Sequence, residues 1–336
     1  MNSISIGDLS QVFQMRRHDV ALQEKMGRLG RELTTGIRQD RSVAVSGDFV
    51  PLAGMEHQLR TLTSRKTTIS ETAALMQAAQ LSLGEIQGLG RALTPTLLSS
   101  ASTGNVTLVR NTSVDAGEKL ASVMSVLNTR FADRAVFAGA GTDGRAVITA
   151  QDLIAQLNTV VAAQTTASGV AAALDSWFST PGGGFETLAY LGAPDALGPL
   201  PLGDGESVSL TVKADNPELR EVVNSLAMAA VISQGALSGD LTEQAKLVRI
   251  SGERLIAADD KLTGLRASIG AGEARVDAAA VRNAAEGSAL ELARAKLIGV
   301  NQYETASELE TVYSRVEALY TITSRLSRLN FTDYMR

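Results

Sequence analysis

Apolar residues toward the C-terminal end recur at alternating intervals of three and four: Leu309, Val312, Val316, Leu319, then Thr323 and Leu326. That spacing draws one narrow stripe along a helix, the seam of a coiled coil. A matching seam runs near the other end through Val12, Met15, Leu22, Met26, Leu29 and Leu33, interrupted only by Asp19. Gly36 stands where that helix should stop, because glycine takes up the left-handed backbone that closes helices. Residues 37–54 read as a turn-rich, extended connection. Terminal segments are ordinarily frayed and polar, so two apolar seams there call for a covering surface.

Between the ends the pattern changes twice. Leu62, Ile69, Met76 and Leu83 are spaced by seven, with Ala79, Ile86 and Leu93 on the companion position, and they predict a helix over about 55–93. Val109, Ala116, Leu120, Val123 and Leu127 predict another over about 107–133. Five of the seven prolines then fall between 140 and 217, with the glycine run STPGGGFE. Short helices are expected there at about 150–163 and 168–178. So is one strand, ESVSLTVKA, in which Val208, Leu210 and Val212 alternate with polar residues. From 218 onward there is no proline, and helical spacing returns through Leu219, Val222, Leu226, Leu241, Val248, Leu255, Leu262 and Ile269. Proline costs about 3 kcal/mol inside a helix, so this stretch is free to run long.

The predicted fold is therefore mainly α. A long helical coiled coil or bundle is formed by the N- and C-terminal segments, with a small α+β insert in the middle. Residues 1–40 and 295–336 form a terminal coiled-coil region, 41–139 and 218–294 a helical rod, and 140–217 the insert. The terminal seams have two readings. They are halves of an ordinary intramolecular bundle, or they pair with each other and with neighbouring subunits. A two-helix hairpin buries little apolar surface, and isolated helices are marginal in water, which favours ordering on assembly.

Composition narrows the function classes. Hydrophobic residues make up 44% of 336, yet aromatics only 4%, a pool suited to helix-on-helix packing. Cysteine is absent, which excludes disulfides, thiolate metal sites and a cysteine nucleophile. Net charge is −5 and neither end concentrates basic residues, so no nucleic-acid partner is expected. No apolar run reaches the length of a membrane span, and MNSISIGDLSQVFQMRRHD lacks the build of a cleavable signal.

No catalytic, cofactor-binding or metal-binding residue is expected. Gly139, Gly141 and Gly144 match a dinucleotide-type spacing, but the chain before them reads as helical and no acidic ribose partner follows at the required distance. A glycine-rich link into the insert is the plainer reading, with a nucleotide-binding enzyme as its alternative. His18 and His57 lack ligand spacing. Asn283, Glu286 and Glu291 could be an acidic site, but on an amphipathic helix they read as a solvated face. Trp177 and Phe178 read as the small core of the insert, or else as an exposed patch.

Three stretches carry a resemblance. LQEKMGRLGRELTTGIRQDRSV, RFADRAVFAGAGTDGRAV and NQYETASELETVYSRVEALYTITSRLSRLNFTDYM resemble, in that order, the opening helix, the helix-to-insert crossing and the closing helix of the flagellin superfamily. Within it they are most similar to hook–filament junction proteins. The crossing residues are Val136, Phe137, Ala138, Gly139 and Thr142. In the closing helix they are Gln302, Tyr303, Glu304, Ala306 and Tyr334. The chain departs from the family after Gly36, where only Asp48 and Pro51 echo an acidic pair before proline. Before the last helix, the usual acids are thinned to Glu286 and Glu291.

The resemblance implies a structural, non-enzymatic subunit of the bacterial flagellum, in an adaptor ring joining hook to filament; flagellin itself is the alternative. It implies terminal helices lining an inner tube and an insert facing outward. It implies as partners the other hook-associated junction protein, flagellin, further copies of the chain in a ring and an export chaperone. It implies passage through the flagellar secretion channel to the outside without a cleaved signal peptide. The assembly seam would then be Val12, Met15, Leu22, Met26, Leu29, Leu33, Leu309, Val312, Val316, Leu319 and Leu326.

Overall fold

The structure, a computed structural model, describes residues 6–334, with side chains described for Ser10 and for residues 13–325. The chain is about 75% helical, with a few short strands. It divides into two compact units, one of Met1–Thr63 with Ala284–Arg336, the other of Ser64–Asn283.

The larger unit holds most of helix α3 (Val50–Thr103) and of α8 (Leu241–Ile298). It also holds α4 (Val106–Leu127), β1 (Arg130–Phe131), β2 (Arg134–Ala135), α5 (Ala150–Val161), α6 (Ala167–Ser179), β3 (Leu200–Gly203), β4 (Glu206–Val208) and α7 (Pro217–Ser233). Helix α3 continues through Pro95, where the periodicity alone ends it. The reason is burial: Leu93 and Leu97 on either side are fully covered. Each such leucine gains about 1.5–3 kcal/mol, enough together to offset the proline. Helix α4 begins at Asn105, whose side chain accepts from the amides of Thr107 and Leu108 at 2.9 and 3.1 Å. It stops at Leu127, short of the expected 133, and a hairpin follows instead. Ala132 and Asp133 take positive φ of 46° and 60°, the geometry of a tight two-residue hairpin turn.

Strand β4 is shorter than the sequence suggests. Only Glu206–Val208 pairs, antiparallel to β3. The alternation nevertheless reports burial correctly, since Val208, Leu210 and Val212 are covered and Ser209 and Thr211 are not. What it could not report is that the ladder ends where Leu200 pairs with Val208, and that among the described residues no other strand continues it.

Helix α7 is buried nearly all round from Val222 to Ile232, as a helix apolar on every side must be. It packs against α4, α5 and α6. Small side chains make the approach close: Ser113 of α4 donates to the Ala229 carbonyl and accepts from the Ser233 amide at 3.0 Å. One continuous core runs from Ile69 to Ala279 and includes the segments expected as a separate insert. Trp177, Phe178 and Phe185 meet edge-on or tilted at 4.8–6.3 Å within it. A polar ladder joins α3 to α8. Arg266 donates to Gln80 at 3.0 Å and to Gln87 at 2.7 Å, Gln87 donates to Thr263 at 2.9 Å, and Arg91 grips Asp259 through two bonds.

The smaller unit contains α1 (Ile6–Thr35), α2 (Arg41–Ala44), α9 (Gln302–Tyr334), the start of α3 and the end of α8. Residues 37–54 are more ordered than a turn-rich connection. Asp40 caps α2 by accepting from the amides of Ser42 and Val43. Asp48 accepts from the Val50 amide at 3.0 Å and so opens α3, with Pro51 in its first turn where its missing N–H costs nothing. Val45, Leu52 and Ile298 close a small core there.

Candidate assembly interface

The two terminal helices pair within the smaller unit, and local chemistry fixes where each begins and ends. Helix α1 closes at Gly36, whose φ of +70° suits glycine. The chain then forms an antiparallel bridge between Ile37 and Gly299. Arg38 donates its amide to the Ile298 carbonyl at 2.9 Å, and Val300 donates to the Gly36 carbonyl at 3.0 Å. Two residues later Asn301 caps α9, its side chain accepting from the Tyr303 amide at 3.1 Å. Glu32, buried on the last turn of α1, accepts from the Gln39 amide at 2.9 Å. The end of α1 and the start of α9 are thus tied by backbone bonds, and the helices run back antiparallel from that knot.

Along the pair, Leu29, Val312 and Val316 are buried together, with Leu22, Met26 and Leu309 packed against them and half-covered. Met15, Leu33 and Leu319 are also half-covered but stand outside this cluster. The side chains of Val12 and Leu326 lie outside the described residues. The polar interruption at Asp19 is satisfied: it accepts from Gln23, which also donates to the Tyr320 hydroxyl at 3.1 Å. Lys25 and Glu308 form an ion pair at 2.6 Å across the helices, and the hydrogen bond from Lys25 holds the Glu308 carboxyl below its ordinary range. A polar pair beside an apolar seam fixes the register of the two helices.

A second set of residues was not legible as a seam because tyrosine and glutamate interrupt it. Tyr303, Tyr313 and Tyr320 are exposed on α9, and Phe13 and Val20 on α1. The heptad spacing of Tyr313 and Tyr320 is the signal that could have found it.

An open cleft of about 630 Å³ lies at the knot, bordered by Leu29, Glu32, Arg38, Asp40, Tyr303 and Glu308. The Ser42 hydroxyl is the main cause of a lowered Asp40 carboxyl there. Among the described residues no group of three or more His, Asp or Glu side chains is placed to hold a metal ion, and no helix is long and apolar enough to cross a membrane. Gly139 has an internal use. Its φ is +62°, and a Cβ there would stand 2.4 Å from the Asp195 carbonyl oxygen and 2.9 Å from that of Ala193. The chain's own backbone occupies the space beside this glycine. Its neighbours agree: Ala140 donates to Asp195 and Ala193 to Ala138, both at 2.9 Å.

A pair of long terminal helices in one unit and a helix-rich second unit make up a fold similar to solved structures of flagellar proteins. FlgL from Bacillus cereus matches with a TM-score of 0.53 and 13% identity, over 72% of this chain and 100% of that one. A putative flagellar hook-associated protein from Vibrio parahaemolyticus matches with a TM-score of 0.50 and 12% identity, over 74% of this chain and 98% of that one. No family profile matches the sequence, and no curated protein does.

Proposed function

We propose that this chain is a structural subunit of the bacterial flagellum, of the kind called hook-associated protein 3, which forms an adaptor ring between hook and filament. The observation that carries the reading is the α1–α9 pair. Its apolar seam is closed at Leu29, Val312 and Val316 but only half-covered at Met15, Leu22, Met26, Leu33, Leu309 and Leu319. Such a pair is completed by apolar surface from neighbouring subunits. The fold shared with FlgL and with a hook-associated protein supports the same role.

In this reading 1–40 and 295–336 line the inner tube, 41–139 and 218–294 form the rod, and 140–217 faces outward. The seam from Val12 to Leu33 and from Leu309 to Leu326 is the assembly surface. The partners are copies of the chain, the other hook-associated junction protein and flagellin, with a chaperone before export. The chain leaves through the flagellar channel without a cleaved signal and acts outside the cell. The role requires no catalytic centre.

Deleting the gene tests it. Hooks without filaments, with flagellin lost to the medium, are expected; filaments of ordinary length would overturn the reading. Replacing Leu319 and Leu326 with Asp in one chain should abolish incorporation while the larger unit stays folded. Thousands of copies along the filament, rather than a thin ring, would point to flagellin instead.

A further inference from the structure

Each terminal helix has a second patterned stripe besides the seam. On α1, Phe13, Arg16, Arg17 and Val20 stand at i, i+3, i+4 and i+7 and therefore share one face. Counting 100° per residue, that face is opposite the one carrying Leu22, Met26 and Leu29. Phe13 is 63% and Val20 54% exposed. Both arginines are exposed, and neither takes part in an ion pair among the described residues.

On α9, Tyr303, Ala306, Glu310, Tyr313, Glu317 and Tyr320 alternate at three and four, a stripe bordering the seam. All six are exposed, with Tyr313 at 52% and Tyr320 at 53%. Glu310 and Glu317 likewise have no ion pair among the described residues. Exposed apolar side chains lined up on one face mark an interaction surface, and tyrosine and arginine are the residues such surfaces favour.

The two stripes are complementary. One is basic and apolar, the other acidic and aromatic. Each would repel a copy of itself, and within one chain the α1 stripe points away from α9.

We propose that the Phe13–Val20 face of α1 docks on the Tyr313–Tyr320 face of α9 in a second copy of this chain. Arg16 and Arg17 meet Glu310 and Glu317, where the tyrosine rings also offer faces to the guanidinium groups. Phe13 and Val20 cover the apolar parts of the tyrosines. The contact joins two different faces, so every docked copy still presents one free face of each kind, and the arrangement propagates until it closes into a ring. The proposal rests on the reading of the chain as an assembling subunit and adds which surfaces copies use sideways.

The chain lacks cysteine, so introduced thiols report single contacts. Full-length Val20→Cys and full-length Tyr313→Cys proteins are mixed at high concentration with sulfate, which strengthens apolar association, and mildly oxidised. A disulfide-linked heterodimer is expected. Val20→Cys mixed with Val281→Cys, which places an exposed thiol in the larger unit, is expected to give none. Arg16→Glu with Arg17→Glu should weaken self-association at least tenfold by sedimentation, and so should Glu310→Arg with Glu317→Arg. Mixing the two reversed proteins should restore it.

If association persists undiminished through both reversals and no heterodimer forms, the contact is overturned while the subunit reading stands. If the unaltered chain neither self-associates nor enters flagella, both fall. Should a reversed variant lose helicity, the cross-link between unreversed chains decides alone.

Discussion

At the residue scale the structure turns on positions where one atom decides. Gly139 is one. Replacing it by Ala sets a methyl carbon 2.4 Å from a carbonyl oxygen at a positive φ. Thermal unfolding of the larger unit should show a loss of about 2–4 kcal/mol. The same crowding is why a glycine spacing legible in the sequence as nucleotide-like has an internal explanation that only the fold could reveal: Asp195 is far away in the chain. Asp175 is another. Burial opposes its charge, but hydrogen bonds from Arg254 and from Asn224 outweigh that and hold its carboxyl below the ordinary range. A carboxyl depressed on folding adds stability above its unfolded value and loses it as pH falls through the folded one. Asp175→Asn should therefore cost about 1 kcal/mol near neutrality, a small figure because the Asp175 side chain is over a third exposed and screened. The difference from the unaltered chain should vanish in strong acid, read from denaturation midpoints across pH. Asp215 runs the other way: burial raises its carboxyl, so its share of stability improves on acidification.

At the element scale, apolar periodicity was a sound guide to faces and a poor guide to ends. Leu22, Met26, Leu29, Leu309, Val312 and Val316 meet as their spacing implies. The bounds of α3, α4 and β4 were set by other things: buried leucines around Pro95, the turn at Ala132 and Asp133, and a missing neighbour beyond Val208. None of these is a periodic signal. Periodicity also could not fix how α3 and α8 align. Ile69, Met76 and Leu83 on one helix, and Leu255, Leu262, Ile269 and Val276 on the other, are each spaced by seven. A slip of one heptad would therefore match leucine-like to leucine-like. The ladder of Gln80, Gln87, Arg91, Asp259 and Arg266 removes that ambiguity, because a slipped pair would part Arg91 from Asp259 and leave the buried Gln87 and the half-buried Gln80 and Arg266 short of partners, at about 1–3 kcal/mol for a group withdrawn from water. Arg266→Leu alone should destabilise the larger unit by about 2–4 kcal/mol, since Gln80 and Gln87 lose their donor. Changing Gln80, Gln87 and Arg266 together to Leu should recover most of that in urea midpoints. It should also admit slipped pairings, detectable as a reduced yield of the disulfide between cysteines introduced at Met76 and Gly272, which are adjacent only in the native register.

At the scale of the whole molecule, the two units should respond separately. Val312→Asp is expected to unfasten α1 from α9, lost as fast amide exchange at Leu22 to Leu29, while the melting of the larger unit is unchanged. The bridge between Ile37 and Gly299 also has a consequence for the order of events. It closes a chain span of about 260 residues, and closure entropy grows as the logarithm of length. The larger unit ties Arg65 to Asp204 and Arg282 to Glu206, both at the tip of one short hairpin. Once it has folded, the span left to close falls to roughly 45 residues, and the entropic barrier drops by about 1.5 kcal/mol. The middle of the polypeptide should therefore become native first and its two terminal helices zip together last, leaving their sticky stripes uncovered for longest.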